Sequence, residues 1–202
     1  DQTGIKDPIG MSGVRLEAEV HIITGSTTTI QNLLKSANRA GYQCSDVIFA
    51  PLASAEATLS RDEKELGVAL VDMGGGTTDI VVFIEGGVAY SSVLSIGGIH
   101  VTNDISIGLR TPIESAEVIK KKHGCSVVDI VDASETIEVP SGGGRAPRRI
   151  FRQELAQIIE PRMLEIMEMV DRELIRSGKQ EILAAGIVLT GGAAMIGGCV
   201  EA

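Results

Sequence analysis

The stretch Val68–Phe83, VALVDMGGGTTDIVVF, decides how the rest of the chain is read. Val68, Leu70 and Val71 form one apolar arm and Ile80, Val81, Val82 and Phe83 another, so the string reads as strand, tight turn, strand. Gly74, Gly75 and Gly76 make the turn. Without Cβ atoms they can aim successive backbone N–H groups at one point, a concave nest for an anion such as phosphate. Thr77 and Thr78 add hydroxyl donors. Asp72 leaves the first arm just before the nest, where a carboxylate can hold the water shell of Mg2+, an ion that keeps most of its waters. The plain alternative is a hairpin with a glycine-rich bulge, and the complete D-x-GGG-TT-D string after a buried strand weighs against it.

Upstream, Val14, Leu16, Ala18, Val20 and Ile22 alternate with Arg15, Glu17, Glu19 and His21, the period of a strand buried on one side, with His21 toward solvent. After Gly25, the spacing of Ile30, Leu33, Leu34, Ala37 and Ala40 predicts a helix that stops at Gly41. Val47–Phe49 reads as a strand ended by Pro51, Ala53–Leu59 as a short helix, and Arg61–Glu65 as a charged surface link. Downstream, Gly86-Gly87 is predicted to be a two-residue turn that returns Val88–Ile96 antiparallel to the second arm. His100–Leu109 is expected to be helical, and Thr111-Pro112-Ile113-Glu114 to open a second helix with Thr111 as cap, ending at Gly124. Ile137–Val139 reads as a short strand, and Ser141–Pro147 as a glycine-rich loop. Leu155, Ile158, Ile159, Met163, Ile166, Met167, Val170 and Leu174 mark one long amphipathic helix over Arg152–Ser177, bent at Pro161, with its methionines as core filler. Gly186–Leu189 is a buried strand running into Thr190-Gly191-Gly192-Ala193-Ala194.

Helix, strand, helix and glycine hairpin in this order make an α/β fold. With 202 residues, 44% of them hydrophobic, the chain can bury a sizeable core. A net charge of -9 argues against nucleic-acid binding, which needs a basic face, and 2% aromatics without Trp leave no stacking platform. Cys44, Cys125 and Cys199 are odd in number and far apart, which suits a reducing cytoplasm. No run approaches eighteen uninterrupted apolar residues. A chain that starts at Asp1 and stops just after Gly-Gly-Cys-Val reads as a piece of a longer protein.

The two strand-to-glycine junctions, Asp72–Thr77 and Thr190–Ala194, can line one crevice, because ligands of α/β sheets sit at the carboxyl ends of strands. One would take phosphates and the other would let a flat ring approach the backbone. Between them, Glu117, Lys120 and Lys121 on adjacent turns can offer a carboxylate to ribose hydroxyls and cations to phosphates, although Lys120–Lys122 also suit a solvated helix end.

DMGGGTTD, the GGIHV element, the SAEVIKKKHG helix and VLTGGAAMIGG, in this order, resemble the second half of the actin-like, ribonuclease H-like ATPase fold. GIKDPIGMSGVRLEAEVHIIT and PSGGGRAPRRI are similar to the FtsA family of bacterial cell-division proteins, and that likeness covers essentially the whole chain. The resemblance implies four parts. Residues 1–24 would end a lobe peculiar to that family, 25–65 would close the first large lobe, 66–96 with 152–202 would form the second large lobe, and 97–151 the small lobe inserted in it. It implies ATP and Mg2+ as cofactors: Gly74, Gly75, Gly76 and Thr77 on the phosphates, Asp72 on the Mg2+ side through water, Glu117, Lys120 and Lys121 near ribose and base, and Gly191, Gly192 and Ala193 on the adenosine. The family's first phosphate loop is not in this sequence, so only half of the clasp is expected here.

Where chaperone and bacterial-actin relatives carry a water-orienting Glu before Pro, this chain has Ala50 before Pro51. The resemblance thus implies slow or absent hydrolysis and no catalytic residue, with nucleotide favouring self-association into filaments. It also implies tethering of the FtsZ ring to the cytoplasmic face of the inner membrane at the septum. The membrane contact would use a C-terminal amphipathic helix absent here, and later division proteins would meet the extra lobe. The basic set Arg145, Arg148, Arg149, Arg152 and Arg162 is the candidate grip for the acidic FtsZ tail. Relatives of MreB or PilM type, or a sugar-kinase-like enzyme, are the alternatives; a kinase would need an acidic base, which Ala50 is not.

Overall fold

A computed structural model describes residues 4–5, 7–18, 20–141 and 146–202. In chain order the elements are α1 (Thr27–Arg39), α2 (Ala50–Thr58), α3 (Arg61–Leu66), β1 (Val68–Met73), β2 (Thr78–Ile84), β3 (Gly87–Leu94), α4 (Gly98–Gly108), α5 (Ile113–His123), β4 (Thr136–Val139), β5 (Arg148–Phe151), α6 (Arg152–Ser177) and β6 (Ile187–Thr190). They form an α/β structure around a four-stranded sheet of order β3-β2-β1-β6, with β4 and β5 pairing separately.

Strand β1 is apolar throughout apart from Asp72 because both its faces are covered. Ala69, Val71 and Met73 face the larger core with Ile80 and Val82, against Val101 and Ile105 of α4 and Leu155, Ile159 and Met163 of α6. Val68 and Leu70 face a second cluster with Val81 and Phe83, closed by Ala55 and Leu59 around α2. The hairpin is antiparallel from Val68 opposite Phe83 to Met73 opposite Thr78, as expected. The next turn is Glu85-Gly86, one residue earlier than Gly86-Gly87, with φ of 52° and 78°. Two consecutive positive φ values match the twist of the strands they join.

Several expectations are corrected. The described residues of the alternating segment 14–22 form no strand: Val14, Leu16, Val20 and Ile22 are exposed, and none of them pairs into a ladder. Glu19 lies outside the described residues, and His21 is exposed with Nε2 3.0 Å from Ser91 Oγ. Val47–Phe49 also lacks a partner strand, and Pro51 sits in the first turn of α2 instead of ending a strand, as its fixed φ and missing N–H allow. The charged link is α3, begun by a capping box in which Glu63 N donates to Ser60 Oγ and Ser60 N to Glu63 Oε2. Thr111 does not cap α5; its hydroxyl donates to Pro140 O, tying the helix start to the end of β4. β5, which the sequence reading did not foresee, begins directly after the expected loop and pairs with β4, while residues 142–145 of that loop lie outside the described residues. β6 is half-buried, since β1 is its sole partner among the described strands and Ile187 is exposed. The long helix α6 has the expected bounds, Pro161 inside it, and a left-handed Gly178 after it.

Candidate functional site

Strands β1 and β6 run parallel, with Asp72 opposite Thr190, so the glycine segments that follow them leave the sheet at the same end. The approach is close enough to demand glycine. A Cβ on Gly191 would lie 2.5 Å from both Asp72 Oδ1 and Met73 O, and its φ is +90°. A third glycine pair is drawn onto the hairpin turn: Gly98 N donates to Gly74 O at 3.0 Å, and Ile99 N to Gly75 O at 2.7 Å. The start of α4 is thereby docked on the turn.

Helix α5 supplies the far wall. Lys120 is buried, and its Nζ donates to Gly98 O at 2.9 Å and Thr102 Oγ1 at 2.8 Å while pairing with Glu117 Oε2 at 2.7 Å. Thr102 Oγ1 lies 2.5 Å from the same oxygen, and Lys121 reaches Glu117 Oε1 at 3.2 Å. Burial pushes the Glu117 carboxyl up, but hydrogen bonds from Lys120, Thr102 and Lys121 and the Lys120 charge outweigh it and hold the pKa at about 2. Glu117 is therefore a fixed anion near neutral pH. Lys120 is largely engaged in holding α4 to α5, while Lys121 and Lys122 are exposed.

These walls enclose a cleft of about 510 Å³. Gly74, Gly75, Glu117, Lys120, Lys121, Gly192 and Ala193 line it, so seven of the predicted residues are brought together. Asp72, Gly76, Thr77 and Gly191 do not line it. Asp72 is half-buried with Oδ2 accepting from Ser54 Oγ at 2.7 Å, and Thr77 Oγ1 donates to Asp79 Oδ2 at 3.3 Å. Sequence reasoning missed Gly98, Lys122, Gly124, Arg152 and Met195–Gly197 as lining residues. The continuation of Gly-Gly-Ala-Ala into Met195-Ile196-Gly197 was the signal for the last three.

Two lining glycines test what the cleft suits. A Cβ on Gly75 or Gly192 would meet nothing within 4 Å, and neither residue has a positive φ. Neither backbone strain nor packing demands glycine there, and a side chain at either position would stand in open space beside the cleft. Bare backbone at two ends, a fixed carboxylate and exposed cations suit a polyanion that also carries hydroxyls. Among the described residues no group of three His, Cys, Asp or Glu side chains could ligate a metal directly. A single carboxylate such as Asp72 suits an ion held through its water shell.

The arginines serve several elements. Arg148 Nη2 donates to Leu109 O at 2.6 Å, and Arg152 holds His123 O and Glu135, each at 2.8 Å. Arg162 grips Asp104 on α4 at 2.6 and 3.1 Å and pairs with Glu165. Arg149 is exposed on β5 opposite Glu138, and Arg145 lies outside the described residues.

The family model described as "Cell division protein FtsA" matches residues 69–202, and the chain is 50% identical over 201 residues to the cell division protein FtsA of Pseudomonas aeruginosa, covering all of this chain. The chain belongs to the FtsA family. A second family model, the SHS2 domain inserted in FtsA, matches residues 1–24. The chain spans 48% of the Pseudomonas FtsA, about half its length. Among solved structures it is similar to MreB 5 of Spiroplasma citri bound to AMPPNP, with TM-score 0.65 and 22% identity over 87% of this chain and 56% of that one. It is also similar to the MamK double helical filament, with TM-score 0.66 and 23% identity over 88% of this chain and 55% of that one. The fold of this FtsA chain is actin-like.

Proposed function

We propose that in the full FtsA protein this cleft binds ATP with Mg2+, and that the nucleotide stabilises a closed form of a scaffold which polymerises and tethers the FtsZ ring to the cytoplasmic face of the membrane at the septum. One observation carries the nucleotide reading: the parallel register of β1 and β6 sets two bare glycine segments on one cleft, 115 or more residues apart in sequence, with Glu117 fixed between them. In this reading the Gly74–Thr77 turn meets phosphates, Gly191–Ala193 meets the adenosine, Glu117 and Lys121 meet the sugar side, and Asp72 holds the ion's water shell. Bound Mg2+ supplies charge neutralisation of the phosphates. The side chain of Ala50, at the start of α2, can neither take a proton nor orient water, so in this reading the nucleotide acts as a structural ligand.

The SHS2-like residues 1–24 would receive later division proteins, and a C-terminal amphipathic helix of the full protein would make the membrane contact. The division of the chain into lobes at 25–65, 66–96 with 152–202, and 97–151 belongs to the same reading. For the FtsZ tail we assign the arginine face of β5 and α6. Because Arg162 already ties α4 to α6, exposed Arg149 is the cleaner probe. Titration of full-length protein with the acidic FtsZ tail peptide should show affinity roughly threefold or more weaker for Arg149→Gln, with an unchanged Tm. Unchanged affinity would move the tail site elsewhere. Phosphate release by the unaccompanied full-length protein should be slow or absent, and brisk turnover would contradict the structural role of the nucleotide.

A further inference from the structure

The Asp72 carboxylate is held from more sides than a turn requires. Oδ2 accepts a 2.7 Å hydrogen bond from Ser54 Oγ of α2, eighteen residues earlier. Oδ1 occupies the space over Gly191, where a Cβ would come within 2.5 Å of it. Directly across the hairpin stands Asp79. Burial pushes the Asp79 carboxyl up, and the Asp72 charge adds to this against an opposing hydrogen bond from Thr77. Neighbouring carboxylates repel, and a hydrogen-bond donor on Asp72 offsets that repulsion. Ser54 is that donor. It lies one turn after Ala50, on the same face of α2, and both Ser54 and Asp72 are half-buried, so their bond is partly shielded from water.

We propose that Ser54 is a positioning residue: its hydroxyl fixes the Asp72 carboxylate for the hydrated magnesium ion of a bound nucleotide. The inference rests on the nucleotide reading above. A merely structural tie between α2 and β1 would affect folding stability and leave the magnesium dependence of binding alone. The positioning role does the reverse.

The test is calorimetric titration of full-length wild type, Ser54→Ala and Ser54→Thr with ATP, once in Mg2+ and once in EDTA, with thermal unfolding of each in the absence of nucleotide. Wild type should bind more tightly with Mg2+. Ser54→Ala should lose roughly five- to tenfold in affinity with Mg2+, bind as wild type in EDTA, and melt within about 2 °C of it. Ser54→Thr, which keeps the hydroxyl, should restore the magnesium effect. Equal losses in both buffers, no loss in either, or a lowered Tm with the magnesium effect intact would overturn the positioning role while leaving the nucleotide reading standing. A wild type that binds no ATP in either buffer would overturn the nucleotide reading, and this inference with it.

Discussion

Two residues show most directly how the site is constrained. Gly191 has a left-handed φ and sits where any Cβ would strike Asp72 and the Met73 carbonyl. Gly191→Ala should therefore destabilise the fold by about 2–4 kcal/mol through backbone strain and overpacking, read as a lower urea midpoint with an unchanged slope. Glu117 makes a pH prediction. Its folded pKa of about 2 lies below its ordinary value of 4.5, so its contribution is present above pH 4.5 and is lost as pH falls from there through about 2. Acid unfolding of wild type should steepen in that window, and Glu117→Gln should flatten the Tm-against-pH curve there. The glycines and Glu117 were legible because turn and charge patterns are local. The Ser54–Asp72 bond was not, since its partners are eighteen residues apart and only the docking of α2 on β1 joins them.

At the scale of elements, periodic helices were read well. Helix α6 was recognised over its full length from one apolar stripe: Leu155, Ile159, Met163, Ile166, Val170 and Leu174 of that stripe are buried in the core, and Ile158 and Met167 pack half-buried against it. Ile159 is fully buried between sheet and small helices, so Ile159→Ala should cost about 2–5 kcal/mol in chemical denaturation; a cost below about 1 kcal/mol would mean that α6 does not carry this core. Short elements were misread because they depend on partners or on caps. Residues 14–22 carry perfect strand alternation, but alternation supplies one face and no hydrogen-bond partner. Arg61–Glu65 looked like a linker by charge, although Ser60 and Glu63 encode a helix start. β5 was hidden beside glycines and arginines, and its pairing with β4 is set by Ile150 packing opposite Ile137 in the larger core.

For the whole molecule, the decisive step is that β6 returns from the far end of the chain to lie parallel to β1, in register from Ala69 with Ile187 to Asp72 with Thr190. That pairing brings two separate glycine motifs to one cleft, and the Lys120 bonds to α4 hold α5 as its wall. The actin-like fold follows from this sheet, and the FtsA family from the sequence match. A side chain at Gly75 or Gly192 would meet only open space within this chain, and that space is where the proposed nucleotide would lie. Equilibrium binding of MgATP to the full-length protein, compared among wild type, Gly75→Val and Gly192→Val, tests it most directly. Affinity should be at least about tenfold weaker in both variants with Tm and circular dichroism unchanged; equal affinity in all three proteins would rule out a nucleotide lying against these glycines.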